Sequence, residues 1–339
     1  VIYFFIIVFA TVLTLSADQE GQAASAQTKI IVTHSGMNTR QVPLWITQEQ
    51  GFFTKQGVDT ELVFIRTAPL QVAGIASGQV QIGYTAAATI LAAAAGGADL
   101  KILAAFTNRL TYDLVARPEV KKPAELRGKR FGVQSIAGAV WMGAMLGLEH
   151  LGLDPRRDNI NILVVGDQTV LTQALETGAI DATVLDGVFS RRLKQKGFTV
   201  LADLYQANIP YISNVIAVTG PYLQQHAKVS ENVLKALIEG VSFSMSPAKK
   251  PIVLKTIMKR LKITDPAVTE EGYQDLMKTI SRKPYASLDG INNVHRLMKL
   301  HNPAVNNVKV EDLIDNRITK RLDESGFIDQ LYSDYGVKQ

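Results

Sequence analysis

Residues 74–83 read GIASGQVQIG and residues 174–183 read ALETGAIDAT. In both, an apolar turn of helix ends in a glycine, Gly78 or Gly178. A short strand follows, with apolar positions alternating at Val80 and Ile82 or at Ile180 and Ala182. The same spacing of one hundred residues sets KIIVTHSG (29–36) on KRFGVQSI (129–136), so that Ser35 falls on Ser135 and His34 on Gln134. The chain builds one unit twice.

Around these anchors, strand and helix alternate. Lys29 to Thr33 reads as a buried β-branched strand, QVPLWITQEQGFFTKQG as a helix with Pro43 in its first turn, and DTELVFIR, QVQIGY and LKILAAF as further strands. A polar stretch, EVKKPAELRGKR, separates this set from a second: RFGVQ, NILVV, IDATVL and TVLADL as strands, with helices between them. Such alternation predicts α/β lobes, each a mostly parallel sheet flanked by helices.

Composition is consistent with this. At 339 residues, 47% hydrophobic and 20% charged, the chain is long enough for two cores. The net charge of +5 is small, and its densest basic group, Arg191, Arg192, Lys194 and Lys196, reads as a solvated helix face, so no nucleic-acid partner is expected. There is no cysteine, which excludes disulfides, thiolate metal sites and a lipoprotein anchor. The opening run VIYFFIIVFATVLTLS, followed by Ala24-Ser25-Ala26, reads as a secretory signal cleaved after Ala26; a retained membrane anchor is the rival reading.

In open parallel sheets, ligands sit beyond the carboxyl ends of the strands, where loops lead into helix N-termini. The loops at those ends are Ser35-Gly36 and Thr85-Ala86-Ala87 in the first half, and Gln134-Ser135-Ile136-Ala137-Gly138 and Asp186-Gly187 in the second. Two lobes facing each other would bring all four onto one cleft and make a clamp.

The strings VPLWITQEQGFFTKQGVDTELVFI, IASGQVQIGYTAA, KPAELRGKRFGV and ALETGAIDATVLDG, in that order, resemble the periplasmic substrate-binding proteins of the nitrate, sulfonate and taurine group of ABC importers. They are similar as well to the binding proteins for thiamine pyrimidine precursors. The resemblance runs from Lys29 to the C-terminus. It implies a two-lobed periplasmic-binding-protein fold of type II with a two-crossover hinge: lobe one from 27–114 and 213–339, lobe two from 115–212. It also implies a monomer that passes a small organic ligand, anionic or zwitterionic, to a permease and its ATPase in the inner membrane, with no cofactor and no metal.

Carried onto matching positions, the resemblance implies ligand contacts at Ser35, Gly36, Thr85, Ala86, Gln134, Ser135, Ala137, Gly138 and Asp186. Asn108, Trp141 and Asn214 are further candidates, Trp141 as a stacking wall. Each has a plainer reading: Ser35, Thr85, Ser135 and Asp186 as helix caps, Trp141 as core. Asp186 departs from a purely anion-binding pattern and asks for an amine, hydroxyl or amidine.

Catalysis is disfavoured. His34 and Ser35 are neighbours at a strand end, where side chains point apart, and no third group orients them. No H-x-x-x-H and no phosphate-loop motif occurs. An enzyme of thiamine pyrimidine precursor synthesis on the same fold would need the Cys-rich iron site that this chain lacks; a ligand-sensing receptor lobe is the third reading.

Overall fold

The computed structural model describes residues 28–299 and 302–338. The expected leader, 1–26, lies outside the described residues. Among the described residues, ten strands form two five-stranded sheets. In chain order they are β1 (Thr28–His34), β2 (Val58–Phe64), β3 (Ile82–Thr85), β4 (Leu100–Arg109), β5 (Asp113–Ala116), β6 (Arg130–Val133), β7 (Asn161–Val164), β8 (Ala182–Leu185), β9 (Thr199–Asp203) and β10 (Pro210–Thr219).

The first sheet has the order β2-β1-β3-β10-β4 and the second β7-β6-β8-β5-β9. Each carries a single antiparallel strand in the fourth place: β10 against β3 and β4, β5 against β8 and β9. These are the strands that arrive from the other lobe, so they enter against the direction of the local βαβ units. Because β5 lies wholly in the second sheet, the connections run through 110–112 and 204–209, a few residues ahead of the expected boundaries. The connections also bind one another: the Leu110 amide donates to the Ile209 carbonyl and the Leu204 amide to the Tyr112 carbonyl.

Gly78 and Gly178 both end their helices with φ near +77°, at +78° and +76°, a left-handed turn that a side chain would strain. The duplication therefore repeats a backbone requirement as well as a pattern. Its register, however, slips by one residue. Val32 faces Leu62 and Ile82, whereas Phe131 faces Ile162 and Ala182. Thus β2 and β3 map onto β7 and β8 at one hundred residues, but β1 maps onto β6 at ninety-nine. The extra residue lies between β6 and β7, where nothing in the helical pattern registers its presence. Ser35 consequently matches Gln134, not Ser135.

The first lobe has its own core around Trp45, Phe53 and Tyr84, packed under the helix Ala227–Met245. A second cluster runs without interruption from Ala87 and Ile90 of the first lobe to Val140, Trp141 and Met145 of the second. The lobes are closed on one another. Arg191 of the second lobe pairs with Glu271 and Asp275 of the first, and Arg296 of the first holds Glu149 of the second through two bonds of 2.9 Å. Arg191 therefore departs from the solvated face expected of its cluster. Its neighbours on the chain carry no sign of partners eighty residues away.

Candidate functional site

The helix Val42–Glu49 begins with Pro43 in its first turn, and the residues just before it, Asn38 to Gln41, form a tight turn capped by the Asn38 side chain on the Arg40 amide. The helix is buried, so the turn that leads into it is buried too and carries Arg40 inward, with 6% of its side chain exposed. Helices Ala87–Ala95 and Ala139–His150 start at the ends of β3 and of the loop after β6. The three helix starts meet at one interlobe cavity of about 30 Å³, space for one or two waters.

Of the sequence-derived candidates, Ser35, Gly36, Thr85, Ala86, Gln134, Ser135, Gly138 and Asn214 line this cavity. None of the hydroxyls is used as a cap: the cap positions belong to Asn38, Ala86 and Gly138, and Thr85 Oγ1 is buried with no hydrogen-bond partner. Asp186 occupies a cap position but makes no capping bond through its side chain. Ala137 sits beside the lining in a left-handed conformation, φ +60°, costly for a residue with a Cβ. Its carbonyl accepts from Thr89 Oγ1 of the other lobe at 3.0 Å, which helps hold that turn in place. Asn214 is also left-handed, φ +51°, a conformation asparagine tolerates best among such residues.

Two candidates sit elsewhere. Asn108 turns away and donates to the Ala105 carbonyl and to Ser281 Oγ inside the first lobe. Trp141 is 3% exposed and packs in the apolar cluster shared by the lobes, so the helix shows the cavity its first residues, Ala139 and Val140, rather than the indole.

The structure adds residues that the sequence reading did not reach: Asn38, Arg40, Gln41, Tyr84, Tyr112 and Ser213. Arg40 is the principal one. Its guanidinium reaches across the cleft to pair with Asp186, donates to Thr111 Oγ1 at 2.9 Å and lies over the Tyr112 ring, 4.3 Å from the centroid. The Arg40 carbonyl accepts from Tyr84 OH at 3.2 Å. A lone arginine two residues ahead of a helix that opens on the apolar run VPLWI was the available signal.

Electrostatically the pair is enclosed. Desolvation pushes Asp186 up to about 6 against the pull of Arg40, while Asp275 adds to the rise. Desolvation also works against the Arg40 charge, but Asp186, Tyr112 and Tyr211 more than offset it and hold the guanidinium above its ordinary range. The two groups are joined across the lobes, and their contact favours the charged form of each against the desolvation that opposes it. Free amides at the helix starts add positive potential to the same space. The cavity can hold an acidic group by hydrogen bonds and by Arg40; Asp186 is not itself part of the lining and lies behind Arg40, paired with it. Among the described residues, no group of three His, Asp or Glu side chains is placed to hold a metal ion.

Comparison with known proteins fits this geometry. The family model described as NMT1/THI5 like matches residues 38–250. A Brucella abortus protein carried under a binding-protein name is 27% identical over 138 residues, 40% of this chain and 41% of that protein. The chain thus spans about two fifths of the length of the curated relatives it matches. Among solved structures, a protein from Bordetella bronchiseptica RB50 superposes with a TM-score of 0.74 at 18% identity, covering 88% of this chain and 98% of that one. The alkanesulfonate-binding protein SsuA from Xanthomonas axonopodis pv. citri, bound to MOPS, superposes with a TM-score of 0.68 at 16% identity, covering 88% and 98%. At these identities the likeness is one of fold, the two-lobed periplasmic-binding-protein architecture.

Proposed function

The chain belongs to the NMT1/THI5-like family, and from that premise we propose that it is the solute-binding component of an ABC importer. It captures a small organic anion or zwitterion in the interlobe cleft and hands it to a permease and its ATPase in the inner membrane. The observation that carries this reading is that one cavity is lined by strand-end loops from both lobes, including Ser35 and Thr85 from one side and Gln134 and Ser135 from the other. A ligand touching both sides favours the closed state, because only that state makes all the contacts at once.

The ligand-contact set is Ser35, Gly36, Thr85, Ala86, Gln134, Ser135, Gly138 and Asn214, with Arg40 and Asp186 as the charged members. No chemical step is assigned to the site, since its two buried charges neutralise one another rather than activating a nucleophile. The protein works in the periplasm as a monomer after removal of residues 1–26, and mass spectrometry of exported protein should find an N-terminus at Gln27.

A thermal-shift screen of exported protein against alkyl and aryl sulfonates, nitrate, carboxylates, amino acids and thiamine precursors tests the function. A ligand at a hundredfold excess over its Kd should add about 2.7 kcal/mol of stability. Cooperative melting that no class of compound shifts would count against the reading.

A further inference from the structure

Arg40, the one cation that lines the cavity among the described residues, already holds an acid of the protein's own just behind the lining. Asp186 enters from the second lobe and pairs with Arg40 of the first, with 4% and 6% of the side chains exposed. The Asp186 amide is fixed by Gln168 Oε1 at 3.1 Å, and its second carboxylate oxygen, Oδ2, is buried with no hydrogen-bond partner. Gln41 Oε1 is likewise buried and unpaired. Arg40 brings a cation, supported by Thr111 and Tyr112. Asp186 Oδ2 and Gln41 Oε1 are thus acceptors without a donor, while Gln168 Nε2, on the side chain that holds the Asp186 amide, is a buried donor without an acceptor.

To admit a ligand the lobes must part, and the pair parts with them. If the ligand carried one negative charge and closed on Arg40, Asp186 would be buried again beside a second anion with no counter-charge. Removing one partner from a buried pair in this way is strongly unfavourable. A ligand carrying both signs avoids that cost, since its acid replaces Asp186 on Arg40 and its donor replaces Arg40 on Asp186. Resting on the reading of this cleft as the ligand site, we infer that Arg40 and Asp186 form an internal stand-in for the ligand and select a short zwitterion, an acid and an ammonium or amidinium a few bonds apart. The pair is thus a specificity determinant that holds the two lobes together until the right compound arrives.

Calorimetric titration of the exported protein with two matched pairs tests this: 3-aminopropanesulfonate against propanesulfonate, and 4-aminobutyrate against butyrate. The amino compound of at least one pair should bind roughly tenfold or more tightly than its amine-free partner. In Asp186→Asn the order should invert, because the amide no longer repels a single anion. Should that variant fail to melt cooperatively, the double variant Arg40→Gln/Asp186→Asn removes both charges together and should lose the discrimination. Equal binding of amino and amine-free acids by the wild type, or an unchanged ratio in the variants, overturns the zwitterion selection and leaves the binding-protein reading standing. Failure of every acid to bind wild type and variants alike overturns that reading itself.

Discussion

Gln134 and Ser35 occupy equivalent positions in the two halves of the chain, and they touch. Gln134 Nε2 donates to the Ser35 carbonyl at 3.0 Å, and to the Arg66 carbonyl at 2.8 Å. Each residue follows the last residue of its strand, β1 or β6, so equivalent strand ends of the two halves meet here, and both residues line the adjoining cavity.

Gln134→Ala removes both of these interlobe bonds. At about 1 kcal/mol each, closure should weaken by about 1–2 kcal/mol and ligand affinity should fall by about 5- to 30-fold. Small-angle scattering should show the variant more open than the wild type at equal ligand concentration. An unchanged affinity together with an unchanged radius of gyration would mean that Gln134 does not latch the lobes.

Filling the cavity should abolish binding without unfolding the protein. A Cβ on Gly36 would lie 2.5 Å from Gln41 Nε2 and 3.2 Å from Asn38 Nδ2, both flexible side-chain ends. Gly36→Val and Ser135→Trp should each melt cooperatively within a few degrees of wild type yet show no ligand-induced shift. Retention of full affinity by both would place the site elsewhere.

Acid should destabilise the first lobe through His34. Desolvation lowers its pKa from the usual 6.5 to about 4, against a raising bond to the Gly36 carbonyl, and Arg260 lowers it further. The ring is therefore neutral in the folded chain, while the unfolded chain takes up a proton as pH falls below 6.5. Stability from this group is present above pH 6.5 and is lost as pH falls toward 4, on the order of 2–3 kcal/mol. Denaturant titrations at pH 7 and pH 4.5 should show His34→Gln losing less stability over that interval than wild type; equal losses would exclude the histidine as the cause.

Close helix packing makes Gly240 intolerant of a side chain. A Cβ there would sit 2.0 Å from Thr47 Oγ1 and 2.7 Å from the Pro43 carbonyl oxygen, pressing the helix Val42–Glu49 away from Ala227–Met245. Gly240→Val should cost about 1–3 kcal/mol, read as a lower urea midpoint at unchanged slope. A midpoint equal to wild type would show that the two helices can move apart freely.

The α/β architecture and the duplicated unit were legible in the sequence because both rest on local rules. Alternating strands, a left-handed glycine at each helix end and short apolar β-runs are written within ten residues of one another, as at Gly78 and Gly178. The four loops at the strand ends followed from the same rules, and eight of the twelve candidate residues line the cavity: Ser35, Gly36, Thr85, Ala86, Gln134, Ser135, Gly138 and Asn214. Trp141 and Asn108 could not be placed from sequence, since which face of a helix or of a strand meets the cleft depends on what packs behind it.

Only the tertiary structure decided the register of the repeat, the partnership of Arg40 with Asp186 and the turning of Arg191 toward Glu271 and Asp275. One residue added between β6 and β7 moves Gln134 onto the place of Ser35 and leaves the pattern of hydrophobic residues intact. A pair of charges 146 positions apart leaves no local trace, because the energy that joins them exists only once folding has removed both from water. Sequence specified the two halves of the clamp; the contacts that close it, and the charges that choose what it closes on, come from bringing those halves together.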